Sequence, residues 1–91
     1  MKRAEFTINL MNVDTGIMYQ ENVNGLISEY FGIHKTDHGF RVVHLKTGCG
    51  LCSFVKQKEA RKYIKRLENN TDVNWKDIND RKDLLTNISI F

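Results

Sequence analysis

At 91 residues, with 41% hydrophobic and 27% charged side chains, the chain has the size and balance of one soluble globular domain, 1–91, able to bury a modest core unaided. No apolar run nears the roughly 20 residues of a membrane span, and the opening Met1-Lys2-Arg3-Ala4-Glu5-Phe6 has no apolar stretch of a secretory signal, so a cytoplasmic protein with no membrane contact is expected. The net charge of +3 is unevenly placed: residues 1–55 balance five basic against five acidic groups, residues 56–67 hold six basic and one acidic, and residues 68–91 hold three basic and five acidic.

In chain order, Phe6, Ile8 and Leu10 alternate with Thr7 and Asn9, the period of a half-buried strand. Asp14-Thr15-Gly16 signals a turn, and Ile17-Met18-Tyr19-Gln20 returns as a second strand. Asn22-Val23-Asn24-Gly25 breaks that pattern. Leu26, Ile27, Tyr30 and Phe31 fit either a helical turn or a strand, and from Tyr30 onward the strand reading is preferred. The reason is that Asp37-His38-Gly39 is a tight-turn signal leading into the β-rich Phe40-Arg41-Val42-Val43-His44-Leu45. Thr47-Gly48-Cys49-Gly50 offers another reversal, and Leu51-Cys52-Ser53-Phe54 is the last strand.

The segment that follows carries the strongest pattern in the chain. Wound at about 100° per residue, Lys58, Arg61, Lys62, Lys65 and Arg66 share one sector, and Ala60, Tyr63, Ile64 and Leu67 share the opposite one. This is a helix with a buried face and a cationic outer face. Asn69-Asn70 ends it, Thr71 or Asp72 is placed to cap a second helix, and Trp75, Ile78 and Leu85 sit at spacings that suit a short amphipathic one. The apolar end, 88–91, is expected to pack on the domain or pair with an edge strand. The implied fold class is α+β: an antiparallel β-meander of about four or five strands, covered on one face by the basic helix and a shorter C-terminal helix.

Several residues invite chemical readings. Cys49-Gly50-Leu51-Cys52 is a C-x-x-C pair, and with His34 and His38, spaced H-x₃-H, it offers four ligands in the proportions of a Cys₂His₂ zinc site. The strand geometry argues against it, because His34 faces one side of a strand, His38 sits in the turn beyond, and the cysteines lie near the far end of the neighbouring strand. A thiol-redox role resembles the active-site turn of thioredoxins and glutaredoxins, a fold that implies a cis-proline opposite the cysteines; this chain has no proline. Two reduced thiols is the preferred reading. His44 could pair with either cysteine, yet nothing marks an orienting acid or an oxyanion hole. No glycine loop is built to cradle phosphate, and Asp72, Asp77, Asp80 and Asp83 lack calcium-loop spacing. The chain therefore reads as non-enzymatic, with no cofactor.

What remains is binding. Lys56, Lys58, Arg61, Lys62, Lys65 and Arg66 form a concentrated cationic patch, which Arg41 and Lys46 on the central hairpin could extend. Such a patch attracts an acidic protein surface, or the phosphates of DNA or RNA with a salt-dependent affinity. Tyr19, Tyr30, Phe31 and Phe40 are stacking candidates for a nucleic-acid ligand, although a core of this size needs most of them.

The stretch Gly39-Phe40-Arg41-Val42-Val43-His44-Leu45-Lys46-Thr47-Gly48, followed by the helix opening Lys56-Gln57-Lys58-Glu59-Ala60, resembles a hairpin-plus-helix found in small, mostly uncharacterised proteins of phages and mobile elements. The resemblance implies a setting in which short proteins act by stoichiometric binding, anti-CRISPR inhibitors of host defence nucleases among them. Many such inhibitors are acidic mimics of nucleic acid. A basic one would instead seize an acidic protein surface, or the guide nucleic acid of a host nucleoprotein complex. The expectation is an inhibitor or adaptor of a host protein acting through the basic helix, with a nucleic-acid-binding accessory protein as the alternative.

Overall fold

The structure, a computed structural model, describes residues 1–88. Five antiparallel strands, β1 (Lys2–Met11), β2 (Met18–Ile27), β3 (Phe31–Thr36), β4 (Gly39–His44) and β5 (Cys49–Phe54), form one sheet in sequential order. Helix α1 (Gln57–Glu68), a 3-10 turn (Trp75–Asp77) and helix α2 (Arg81–Ile88) follow. The expected α+β meander with helices on one face is therefore the fold. No helix among the described residues is long and apolar enough to cross a membrane.

Alternation on the central strands decides which side chains meet the helices. Phe31 and Ile33 on β3 and Val42 on β4 turn toward α1 and are fully buried, joining Ala60, Ile64 and Leu67 from the helix. Trp75, Ile78 and Leu84 close this core from the C-terminal segment. The Trp75 ring stands edge-on to Phe31 at 5.1 Å between centroids. Its indole Nε1 donates to the Leu67 carbonyl at 3.0 Å, so the large ring is buried with its one donor satisfied.

The expected break at residues 22–25 does not occur. β2 runs unbroken through Asn22 and Asn24 because β1 offers it an unbroken partner, in register from Lys2↔Ile27 to Met11↔Met18. Ladder pairing outweighs the poor strand preference of Asn and Gly. The helical alternative for Leu26–Tyr30 fails too. Leu26 and Ile27 complete β2, and a tight turn closed by the Ser28 N–H on the Phe31 carbonyl leads into β3.

β2 meets β3 through only two residue pairs, Leu26↔Ile33 and Ile27↔Gly32. Just before them Gly25 passes close against β3, where a Cβ would lie 1.9 Å from the Ile33 carbonyl oxygen. The β1–β2 hairpin covers the sheet face that α1 leaves open. There Phe6 lies edge-on to the His34 ring and against Gly32, and Ile8 is buried. The Asn9 N–H donates to the Gly48 carbonyl at 2.8 Å, bringing β1 up to the start of β5. Sequence pattern accounts for the helix-covered face; this second cover comes from the tertiary contacts of the hairpin.

The C-terminal segment also departs from expectation. No helix starts at Thr71 or Asp72. Short polar side chains there bond the nearby backbone instead: the Asp72 N–H donates to Asn70 Oδ1, and the Asn79 amide donates to the Asp77 carbonyl. Such bonds compete with helical ones and keep this stretch in turns. α2 begins only after Asp80, whose carboxylate accepts the Asp83 N–H at 2.8 Å as an N-cap. Its buried residue is Leu84, not Leu85, which is exposed. Ile88 packs on the core as expected, and residues 89–91 lie outside the described residues.

Candidate functional site

The twelve residues of α1 make a rod about 18 Å long. Glu59 in the first turn and Lys65 and Arg66 in the last complement the helix dipole. No side chain caps the N-terminus at Lys56, so tertiary packing of Ala60, Ile64 and Leu67 is what holds the helix. That packing forces the opposite sector outward. Lys56, Lys58, Arg61, Lys62, Lys65 and Arg66 are all exposed, as the helical winding implies, and among the described residues none of the six is held in an ion pair.

Four of them, Lys58, Arg61, Lys62 and Lys65, line one groove of about 440 Å³. Met1 adds an exposed apolar side chain, Ser28 of the β2–β3 turn also lines it, and Ile64 lies beneath, fully buried in the core. Lys56 and Arg66 fall outside this lining. Glu68 brings a carboxylate to one end, where it is already engaged: it accepts the Ser28 hydroxyl and, at 2.8 Å, the Tyr30 N–H. The groove is thus cationic along its length and pinned at its C-terminal end to the sheet. Ser28, Glu68 and Met1 are not legible as site residues, since Ser28 and Glu68 are forty positions apart in sequence.

Arg41 and Lys46 do not extend this patch. Arg41 pairs in register with His34, on the face turned away from α1, and lines a different recess. Lys46 donates to the Lys76 carbonyl at 2.6 Å, tying the β4–β5 turn to the 3-10 turn. Alternation put Arg41 on the face opposite Val42, and no periodicity could reveal the long-range bond of Lys46.

The zinc quartet is dispersed. His34 is buried beneath Phe6 on the hairpin-covered face, and His38 is exposed in the β3–β4 turn. Cys49 and Cys52 face the helix-side core. Among the described residues no three His, Cys, Asp or Glu side chains cluster as metal ligands. Both cysteines are free thiols within a strand rather than at a helix start. Burial pushes the Cys52 thiol above its ordinary range, opposed by a hydrogen bond with Tyr63, so the thiolate needed for redox chemistry is disfavoured.

His44, the remaining candidate base, is fully engaged with other groups. Its Nε2 lies 2.9 Å from the Trp75 carbonyl, which can only accept, so Nε2 carries the proton and Nδ1 accepts from the Thr47 hydroxyl at 3.0 Å. Burial holds its pKa below the usual histidine value.

The fold and groove define the class: a small α+β protein presenting a cationic helix-side groove. Comparison with protein-family models, curated proteins and solved structures finds no match to this chain.

Proposed function

We propose that the chain is a non-catalytic binding protein that grips an acidic protein surface along α1, acting as a stoichiometric inhibitor or adaptor of a host protein. The observation that carries this is the convergence of Lys58, Arg61, Lys62 and Lys65 on one groove that the exposed Met1 also lines. Unpaired cations beside apolar surface suit a partner that brings both carboxylates and a hydrophobic anchor. A nucleic acid brings phosphates, and single strands also require stacking platforms. Among the described residues that line the groove, none is aromatic. In the phage or mobile-element setting that the hairpin-plus-helix resemblance implies, the target is a component of host defence, and the inhibition is of the anti-CRISPR type.

The test is capture from host lysate, with and without nuclease, by the native chain and by a variant carrying Lys58→Ala, Arg61→Ala, Lys62→Ala and Lys65→Ala. A partner captured despite nuclease is then purified and titrated. The proposal expects the quadruple variant to bind it at least about tenfold more weakly, a loss of roughly 1.4 kcal/mol. Equal affinity removes α1 as the contact surface. Capture that vanishes with nuclease and falls steeply with salt transfers the groove to nucleic acid.

A further inference from the structure

Apart from the α1 groove, a recess of about 280 Å³ is lined by Arg41, Arg81, Asn9, Leu10, Met11, Met18, Cys49 and Gly50. Two arginines forty positions apart in sequence line it only because the fold brings them to one recess: Arg41 comes from β4 and Arg81 from the first turn of α2. Arg41 is half-buried, and its guanidinium lies directly on Gly50. A Cβ at that position would sit 2.2 Å from Arg41 Nε and 2.3 Å from one terminal nitrogen, so the bare backbone of Gly50 is what gives the group its place. Among the described residues no carboxylate or carbonyl engages either guanidinium. A half-buried arginine whose donors find no protein acceptor is uncommon, because five N–H groups need partners.

The wall opposite is built by the β1–β2 hairpin. The Asn9 side chain donates to the Thr47 carbonyl while its N–H donates to Gly48, which fixes this end of β1 beside β5. That anchorage sets Leu10, Met11 and Met18 alongside the two arginines, and both methionines are more than half exposed. The recess therefore joins two positive charges, that of Arg41 seated on Gly50, to an apolar flank.

We propose that this recess is a binding site for a phosphate monoester dianion carried on a small apolar body. Two guanidiniums match the dianion in charge, and their planar donor forks match its oxygens in geometry. Methionine side chains offer an adaptable apolar surface for the attached group. The site is separate from the α1 groove and does not depend on what that groove binds.

Phenyl phosphate is the probe, titrated into the full-length chain while the arginine Nε–Hε signals are followed by NMR. Inorganic phosphate and benzenesulfonate serve as comparisons. Saturable shifts of both Arg41 and Arg81, in the millimolar range or tighter, are expected. Phenyl phosphate should bind more tightly than inorganic phosphate, which lacks the apolar body, and than benzenesulfonate, which lacks the second charge. Arg41→Gln and Arg81→Gln should each weaken it at least about tenfold, while Lys82→Gln on the same helix leaves it unchanged. Arg81 is exposed, so its variant retains the fold even where Arg41→Gln does not. Absence of saturable shifts at the two arginines overturns the proposal. So does undiminished affinity in Arg81→Gln, or equal affinity for benzenesulfonate.

Discussion

His44 Nε2 donates to the Trp75 carbonyl at 2.9 Å, joining the end of β4 to the 3-10 turn across 31 positions of sequence. Its other nitrogen accepts from Thr47, whose hydroxyl oxygen in turn accepts the Cys49 N–H. One buried imidazole thus ties the β4–β5 turn to the segment that carries Trp75 and Ile78 into the core. Replacing His44 with Phe keeps much of the volume but removes its bonds to the Trp75 carbonyl and the Thr47 hydroxyl. That variant should lose roughly 2–4 kcal/mol in urea denaturation. An unchanged midpoint would show the tie to be dispensable.

Two buried histidines also make acid sensitivity an expected property. Burial first, then the Lys46 charge, holds His44 low, opposed by its bond to Trp75. Burial and the Arg41 charge hold His34 low, partly offset by Glu21, and His34 Nε2 has no hydrogen-bond partner. With folded values depressed, the unfolded chain takes up protons near pH 6.5 that the folded chain refuses. Stability is therefore full above about pH 6.5 and declines as pH falls through that value, until the lower folded pKa values are reached. Each group adds a slope of at most about 1.4 kcal/mol per pH unit. Denaturation midpoints between neutral and mildly acidic pH should show this decline, and His34→Gln and His44→Gln should each flatten it. A flat native profile would contradict both assignments.

How much of this was legible follows from the range of the forces involved. α1 could be read with both faces because i, i+3 and i+4 neighbours are set by the helix itself. The helix side of the sheet was legible by alternation at Phe31, Ile33 and Val42. The continuity of β2 through Asn22 and Asn24 was not, since it depends on a partner strand rather than on those residues. The displacement of Arg41 from the α1 patch was legible by the same alternation, which sets it opposite Val42, although charge alone grouped it with the helix. The groove itself was half legible: its cations lie on one helix, while Ser28 and Met1 arrive through tertiary contact.

The two faces of α1 should separate in mutagenesis. Ile64 and Leu67 are fully buried against the sheet. Ile64→Ala or Leu67→Ala should each cost roughly 2–5 kcal/mol, through lost contact and the cavity left behind. The quadruple alanine variant of Lys58, Arg61, Lys62 and Lys65 removes exposed charges, and stability should change by no more than about 1 kcal/mol. Paired urea curves measure both. Unfolding of the quadruple variant would mean that those side chains support the fold, and its binding result would then carry no weight.

Gly25 is the residue on which the second sheet cover depends. The β1–β2 hairpin reaches across the sheet because the chain at this point passes against the Ile33 backbone, with no room for a side chain: the nearest carbonyl oxygen would be 1.9 Å from a Cβ. Backbone on backbone leaves nothing flexible to yield, so Gly25→Ala must push β2 away from β3. The joint it disturbs holds only the two pairs beyond it. The expected cost is roughly 3 kcal/mol or more, above the usual range for overpacking. It should also be spatially biased. Hydrogen exchange should rise across Lys2–Met11 and Met18–Ile27 and at His34, which Phe6 covers, while α1 and its contacts with Ile33 and Val42 stay protected. Uniform loss of protection would show instead that the hairpin and the helix-side core unfold as one unit.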